Sequence, residues 1–184
     1  VAGQPLVEHR GVRKVAFTGS LRAGREVGRI AGERIIPVTL ELGGKSANIV
    51  FDDADIPSAV QGSLRAFVLN TGQICSNGTR LFVQSDIHDA FVEALVEASG
   101  NYQPFLGQLA TEAQFEKVGD FFEIAADEGA VAATGGQMGE GWQPEITVYT
   151  GATNDMRIAR EEIFGPVVAV IPFDDEEDAI TMAN

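Results

Sequence analysis

Short apolar runs alternate with longer amphipathic ones along nearly the whole chain, and glycines or acidic turns separate most of them. Val12 to Thr18, Pro37 to Leu42, Ser46 to Phe51, Leu81 to Val83, Ala130 to Thr134, Glu145 to Thr150 and Val167 to Phe173 have the length and composition of strands. Arg22 to Ile30, Ile56 to Leu69, Ile87 to Ala98 and Thr111 to Asp127 read as helices, and Asp174 to Asn184 starts another. The run from Ile56 repeats apolar residues at Val60, Leu64, Phe67 and Val68 on one face. The run from Ile87 turns Phe91, Leu95 and Val96 inward and its acidic residues outward. Strands interleaved with helices in this way predict an α/β fold, a mostly parallel sheet with helices on both faces. A chain of 184 residues has room for one domain, or at most two.

Charge narrows the choice of partners. Asp and Glu total 27 against 13 Lys and Arg, a formal charge of −14. Nucleic acids and anionic membranes are bound through clustered basic residues, so neither is expected as a partner. A single cysteine excludes an internal disulfide framework, and two histidines, at 9 and 88, leave no cluster for a metal. The acidic turn Asp52-Asp53-Ala54-Asp55 has no further ligand at suitable spacing and is expected to cap the following helix. No apolar stretch approaches the roughly 20 residues that cross a bilayer. Glu8 and His9 interrupt the start before any long apolar run, unlike a signal peptide. The default compartment is the cytoplasm.

Two stretches carry residues suited to covalent chemistry. The only cysteine lies in Asn70-Thr71-Gly72-Gln73-Ile74-Cys75-Ser76-Asn77-Gly78-Thr79-Arg80, a polar segment between a helix and a strand. A lone cysteine at such a corner is commonly an inert, buried filler. Small and polar neighbours instead leave this thiol reachable, as a nucleophile must be. Upstream, Val38-Thr39-Leu40-Glu41-Leu42-Gly43-Gly44-Lys45-Ser46 ends an apolar strand on one carboxylate beside a double glycine. By itself Glu41 reads as a strand-end carboxylate in solvent or paired with an arginine. A third stretch, Phe17-Thr18-Gly19-Ser20, joins a strand to a helix through a tight turn, with Ser20 as candidate N-cap. Free amides and the helix dipole favour an anion there, although many parallel α/β proteins have such a corner with no ligand.

Together with Glu161-Glu162-Ile163-Phe164-Gly165-Pro166-Val167, these stretches resemble the motifs of the aldehyde dehydrogenase family, in the family's order. The resemblance runs across most of the chain and covers a middle portion of a family member. It implies an aldehyde dehydrogenase-like catalytic domain over residues 43–184, incomplete at its C-terminus, preceded over residues 1–42 by the last part of a Rossmann-like cofactor domain. It implies oxidation of a small-molecule aldehyde to an acid with NAD or NADP. Cys75 would be the nucleophile and Glu41 the base that activates water. Gly19, Ser20, Leu42, Lys117, Glu162 and Phe164 would hold the cofactor, with Glu162 on the nicotinamide ribose and Lys117 reaching the same ribose. Ile74 and Ser76 would border the aldehyde, and no metal is required. A homo-oligomer is implied for the full-length protein.

The chemistry agrees with those residue types. A thiolate that adds to an aldehyde carbon makes a tetrahedral centre able to expel hydride, and the thioester left behind needs an activated water. A carboxylate among apolar neighbours, such as Glu41 between Leu40 and Leu42, suits the base. The Cys75 amide is one candidate donor for the oxyanion, and the resemblance places the second, an Asn side chain, upstream of residue 1. By the resemblance, Glu41 also implies water rather than coenzyme A as acyl acceptor, because acylating relatives generally lack the glutamate. Cys75 to Arg80 looks somewhat like the corresponding segment of betaine-aldehyde and related dehydrogenases. Against this stands a second reading, a non-catalytic fragment or degenerate member that keeps only the fold. The family pattern fails between Ser99 and Gln108, where a longer connection, usually with a Gly-Asp-Pro turn, is expected.

Overall fold

The computed structural model describes residues 2–184, and the chain divides into two compact units, Val1–Gly44 and Lys45–Asn184. In the first, α1 (Gly3–Glu8) precedes β1 (Val15–Thr18), α2 (Leu21–Glu33) and β2 (Val38–Glu41). The two strands run parallel, from Val15 beside Val38 to Thr18 beside Glu41. Val27, Ile30 and Ala31 on one side of α2 are buried with Val15 of β1. Ser20 caps α2 as expected, its hydroxyl accepting from the Ala23 amide at 3.3 Å. β1 starts three residues later than the apolar run suggests. The Val12 carbonyl accepts from the Arg34 guanidinium at 2.8 Å, and the Val12 amide closes a turn on His9.

The second unit holds β3 (Ala47–Val50), α3 (Ile56–Val68), β4 (Arg80–Gln84), α4 (His88–Tyr102), α5 (Glu112–Asp127), β5 (Val131–Thr134), β6 (Thr147–Thr150), α6 (Arg157–Arg160), β7 (Val167–Phe173) and α7 (Glu176–Ala183). Its sheet has the order β3-β4-β7-β6-β5, and every pairing is parallel except β5 with β6. Side chains alternate across the central strands, so each face receives its own core. Val168 and Val170 of β7, with Leu81 and Val83 of β4, pack with Leu64 and Phe67 of α3 and Phe91 and Leu95 of α4. Val167, Ala169 and Ile171, with Phe82, pack with Val118, Phe121 and Phe122 of α5. Helices therefore cover both faces of a mostly parallel sheet. Complete burial of a side chain such as Phe91 or Leu95 contributes roughly 1.5–3 kcal/mol.

Caps end several elements where the residues suggest. Asp55 accepts from the Ser58 amide at 3.1 Å, and Thr111 accepts from the Gln114 amide at 3.2 Å. The acidic turn before α3 is thus a capping turn at Asp55. The helix expected to stop at Ala98 continues through Ser99-Gly100-Asn101 to Tyr102. Ser99 is buried, and its hydroxyl donates to the Leu95 carbonyl at 2.7 Å, which satisfies a polar group inside the helix packing. Only Gln103 to Thr111 remains to connect α4 to α5, beginning with the short turn Gln103–Phe105. Among the described residues no helix is long and apolar enough to cross a membrane, and no group of His, Cys, Asp and Glu is arranged to hold a metal ion.

Candidate active site

α3 ends at Val68, and the chain then enters an uncommon backbone conformation. Asn70, Thr71 and Gly72 are successively left-handed, with φ of 53°, 57° and 74°. Glycine adopts this region freely, whereas a β-branched residue such as Thr71 is strained in it. At Gly72 a second reason applies, since a Cβ there would stand 2.1 Å from the carbonyl carbon and oxygen of Gly165. Beyond the left-handed run, the Asn77 amide donates to the Ile74 carbonyl at 3.3 Å and closes a turn on Cys75 and Ser76. Both of those residues are exposed, while Ile74 is half-buried. The Cys75 amide takes no part in the backbone hydrogen bonds of this turn. An exposed thiol on a tight turn, with a free amide beside it, can meet a carbonyl and offer a donor to the oxygen.

The segment that Gly72 touches is held from the opposite side by α5. Lys117 Nζ donates to the Glu162 carbonyl at 2.7 Å. Gln114 Nε2 donates to the carbonyls of Ile163 and Phe164 at 2.8 and 2.9 Å. Residues 114 and 117 are one turn apart on a helix, so one face of α5 grips three consecutive peptides. Phe164 is left-handed, with φ of 61°, and a Cβ on Gly165 would lie 2.7 Å from Val118 Cγ2. Glu162 and Phe164 stay half-exposed. Lys117, which the resemblance assigns to the ribose, gives one of its three N–H donors to the Glu162 carbonyl and lies 5.9 Å from the Phe121 ring centroid. Burial lowers its basicity, and the nearby Glu162 and Glu161 charges partly offset that effect. Gln114 was not singled out by sequence; its place three residues before Lys117 was the available signal.

Lys45 also escaped sequence reasoning. Its Nζ is buried and has no hydrogen-bond partner. Burial pushes its ammonium down to about 7; the Arg80 and Lys117 charges push the same way, and only Glu162 opposes. The Lys45 carbonyl accepts from Arg80 Nε at 3.0 Å. Arg80 also reaches Asn154 Oδ1 at 3.3 Å and the carbonyls of Met182 and Ala183 at 3.1 and 2.9 Å, fixing the start of β4 against the end of α7.

In the first unit, Gly19, Ser20, Glu41 and Leu42 collect at the carboxyl ends of β1 and β2. The Gly19 amide donates to the Glu41 carbonyl at 3.0 Å, which continues the strand pairing to the turn. Leu42 lies against α2 so closely that a Cβ on Gly24 would meet its Cδ2 at 2.4 Å. Glu41 is exposed. Ser20 satisfies the Ala23 amide, and the amides of Leu21 and Arg22, in the first turn of a helix of 13 residues, have no intrahelical acceptor. Outward-facing amides at the carboxyl end of a parallel strand fit a pyrophosphate. In the second unit the half-exposed carboxylate of Glu162 makes no side-chain hydrogen bond among the described residues, which fits a group that accepts from ribose hydroxyls. The structure therefore gathers Cys75, Ile74, Ser76, Glu162, Phe164 and Lys117 in one unit and Glu41, Gly19, Ser20 and Leu42 in the other.

A family model described as "Aldehyde dehydrogenase family" matches residues 1–184. A betaine aldehyde dehydrogenase of Mesorhizobium japonicum is 50% identical over 196 aligned positions, covering 99% of this chain and 40% of the relative. One from Brucella anthropi is 45% identical with the same coverage. An NAD+ complex of an aldehyde dehydrogenase from Bacillus cereus matches with a TM-score of 0.95 and 42% identity, covering all of this chain and 39% of that one. A betaine aldehyde dehydrogenase from Staphylococcus aureus, in complex with NAD+, matches with a TM-score of 0.94 and 35% identity, covering 97% of this chain and 38% of that one. The chain thus spans about 40% of the length of the curated relatives it matches. Their alignments run to 196 positions against its 184 residues, so the relatives carry extra residues within the matched stretch.

Proposed function

The chain belongs to the aldehyde dehydrogenase family, and from that membership we propose that the full-length protein oxidises an aldehyde to a carboxylic acid with NAD, using Cys75 as nucleophile. The observation that carries this reading is the exposed Cys75 thiol on a turn whose base is seated, through Gly72, on the segment that bears Glu162. The Cys75 thiolate adds to the carbonyl carbon, and the new C–S bond leaves negative charge on oxygen, where the Cys75 amide donates. Glu162 accepts from the nicotinamide ribose hydroxyls, and Lys117 and Gln114 hold the peptides around it; Phe164 borders the ring. Gly19 and Ser20, with the amides that follow, face the pyrophosphate, and Leu42 lines the same end of the sheet. The bound nicotinamide supplies a hydride acceptor. Glu41 then takes a proton from water, which attacks the thioester carbon and releases the Cys75 thiolate with the acid.

The substrate class proposed is a quaternary-ammonium aldehyde of the betaine aldehyde type. Relatives named betaine aldehyde dehydrogenase, 44 to 50% identical, support it, as does a formal charge of −14, which attracts a cation. The family also suggests a cytoplasmic homo-oligomer. Cys75→Ala in the full-length protein tests the reading. It should abolish acid formation while NAD still binds, and the mass increase of an acyl-enzyme trapped in the unaltered protein should be absent. Retention of about a tenth of the activity would overturn the assignment.

A further inference from the structure

Gln73, two residues before the thiol, uses both ends of its amide. Its Oε1 accepts from the Ala110 amide at 2.9 Å, and its Nε2 donates to the carbonyls of Asn70 at 3.1 Å and Gln108 at 3.5 Å. Its own backbone is tied back to the left-handed run. The Gln73 amide donates to the Asn70 carbonyl at 3.1 Å, and Asn70 Nδ2 donates to the Gln73 carbonyl at 3.1 Å. The receiving segment is firm. Leu109 between the two contacts is 2% exposed, and its amide donates to the Trp142 carbonyl at 2.7 Å. Close by, a Cβ on Gly107 would lie 3.0 Å from Thr71 Oγ1, so backbone and side chain already touch there.

We propose that Gln73 is a positioning residue for Cys75, its side chain fastening the thiol's loop to the segment Gln108–Ala110 between α4 and α5. Of three successive left-handed residues only Gly72 is a glycine, so Asn70 and Thr71 are strained, and such a run persists only when its surroundings over-determine it. Gly72 meets Gly165 by shape on one side, while on the other side the Gln73 hydrogen bonds supply the grip. The tie crosses 35 to 37 residues to the connection between α4 and α5, which thereby anchors the loop. The inference rests on the reading of Cys75 as nucleophile. Gln73 touches no reacting atom; its effect passes through the placement of the thiol, where an error of about 1 Å costs on the order of a hundredfold.

The test compares Gln73→Met, which keeps length and apolar bulk, and Gln73→Ala with the unaltered full-length protein. Two rates are read: the pre-steady-state burst of NADH with betaine aldehyde, and alkylation of Cys75 by iodoacetamide without NAD. A diffusing alkylating agent needs an ionised, reachable thiol but no alignment with a bound aldehyde. Both variants should melt cooperatively and slow the burst by at least roughly tenfold, while alkylation stays within about twofold. A burst within about twofold of normal in folded Gln73→Met overturns the proposal. Equal slowing of burst and alkylation also overturns it, because the thiol would then be occluded or less ionised rather than misplaced. Failure of both variants to fold makes Gln73 a stability residue and overturns it too. An unaltered protein that forms NADH and acid with no acyl-enzyme on Cys75 in intact-protein mass spectra sinks the nucleophile reading itself, and the positioning role with it.

Discussion

Gly72 and Gly165 meet backbone to backbone, so closely that a single methyl group on Gly72 would lie 2.1 Å from the Gly165 carbonyl. Residues 93 positions apart in the chain thereby become neighbours: the first precedes the Cys75 thiol, and the second follows Glu162.

That contact sets a stability prediction. Gly72→Ala places a Cβ at a φ of 74° and against the backbone of Gly165 and Pro166. The combined strain and overlap should cost about 3 kcal/mol or more in urea unfolding. Gly62→Ala in α3 is the control, because its Cβ meets nothing within 4 Å. It should be stabilising by about 0.5–1 kcal/mol. Equal stability of the two variants would contradict the packing described.

Lys45 predicts a pH dependence. Its folded ammonium is pushed down to about 7, chiefly by burial, against about 10.4 for an unfolded lysine. Below the lower value both states hold the proton and the Lys45 contribution is at its least favourable. Between the two values the unfolded chain holds the proton and the folded one does not, so stability rises with pH, by up to about 1.4 kcal/mol per unit. Lys45→Met should abolish that rise. Urea melts at three pH values from 7 to 10 should therefore show the natural protein gaining on the variant; parallel curves would mean that Lys45 keeps its ordinary basicity.

Glu41→Gln separates the two halves of the proposed reaction. Without the base, thiolate attack and hydride loss still occur once. The variant should give a burst of NADH followed by turnover slower by about a hundredfold or more, with acyl-enzyme on Cys75 seen in intact-protein mass spectra. If Glu41 instead primes the thiol, the burst itself disappears and returns as pH climbs toward the ordinary thiol value of about 8.5. Near-normal turnover in a folded variant removes the base assignment.

Glu162→Gln addresses orientation. A carboxylate that accepts two ribose hydroxyls aligns the ring more than it tightens binding. The variant should lose about tenfold or more in turnover with a smaller change in NAD affinity, and deuterated aldehyde should reveal a primary isotope effect. An unchanged rate with no isotope effect would count against the clamp.

Much of this architecture was legible in the residues because it is decided locally. The alternation of strands and helices, the inward residues of α3, Phe91 and Leu95 of α4, and the caps at Ser20, Asp55 and Thr111 depend on neighbours within about four positions, whereas Val96, expected inward, is only half-buried and joins neither core. The motifs around Glu41, Cys75 and Glu162 identified the family for the same reason, as contiguous strings. What tertiary structure alone decided lies at long range. That Ser99 continues α4 depends on a buried environment that leaves its hydroxyl no partner except the Leu95 carbonyl. That Lys117 serves the Glu162 backbone, and Gln114 the two peptides after it, depends on carbonyls 45 to 50 residues away. Lys45 reads as an ordinary surface cation, and only the fold removes its amine from water. Gln73 looks like any polar loop residue until Gln108 and Ala110 arrive beside it. Local patterns choose a conformation for each segment; the partners of an amide or an ammonium are chosen by whichever distant backbone the packing brings within hydrogen-bond reach.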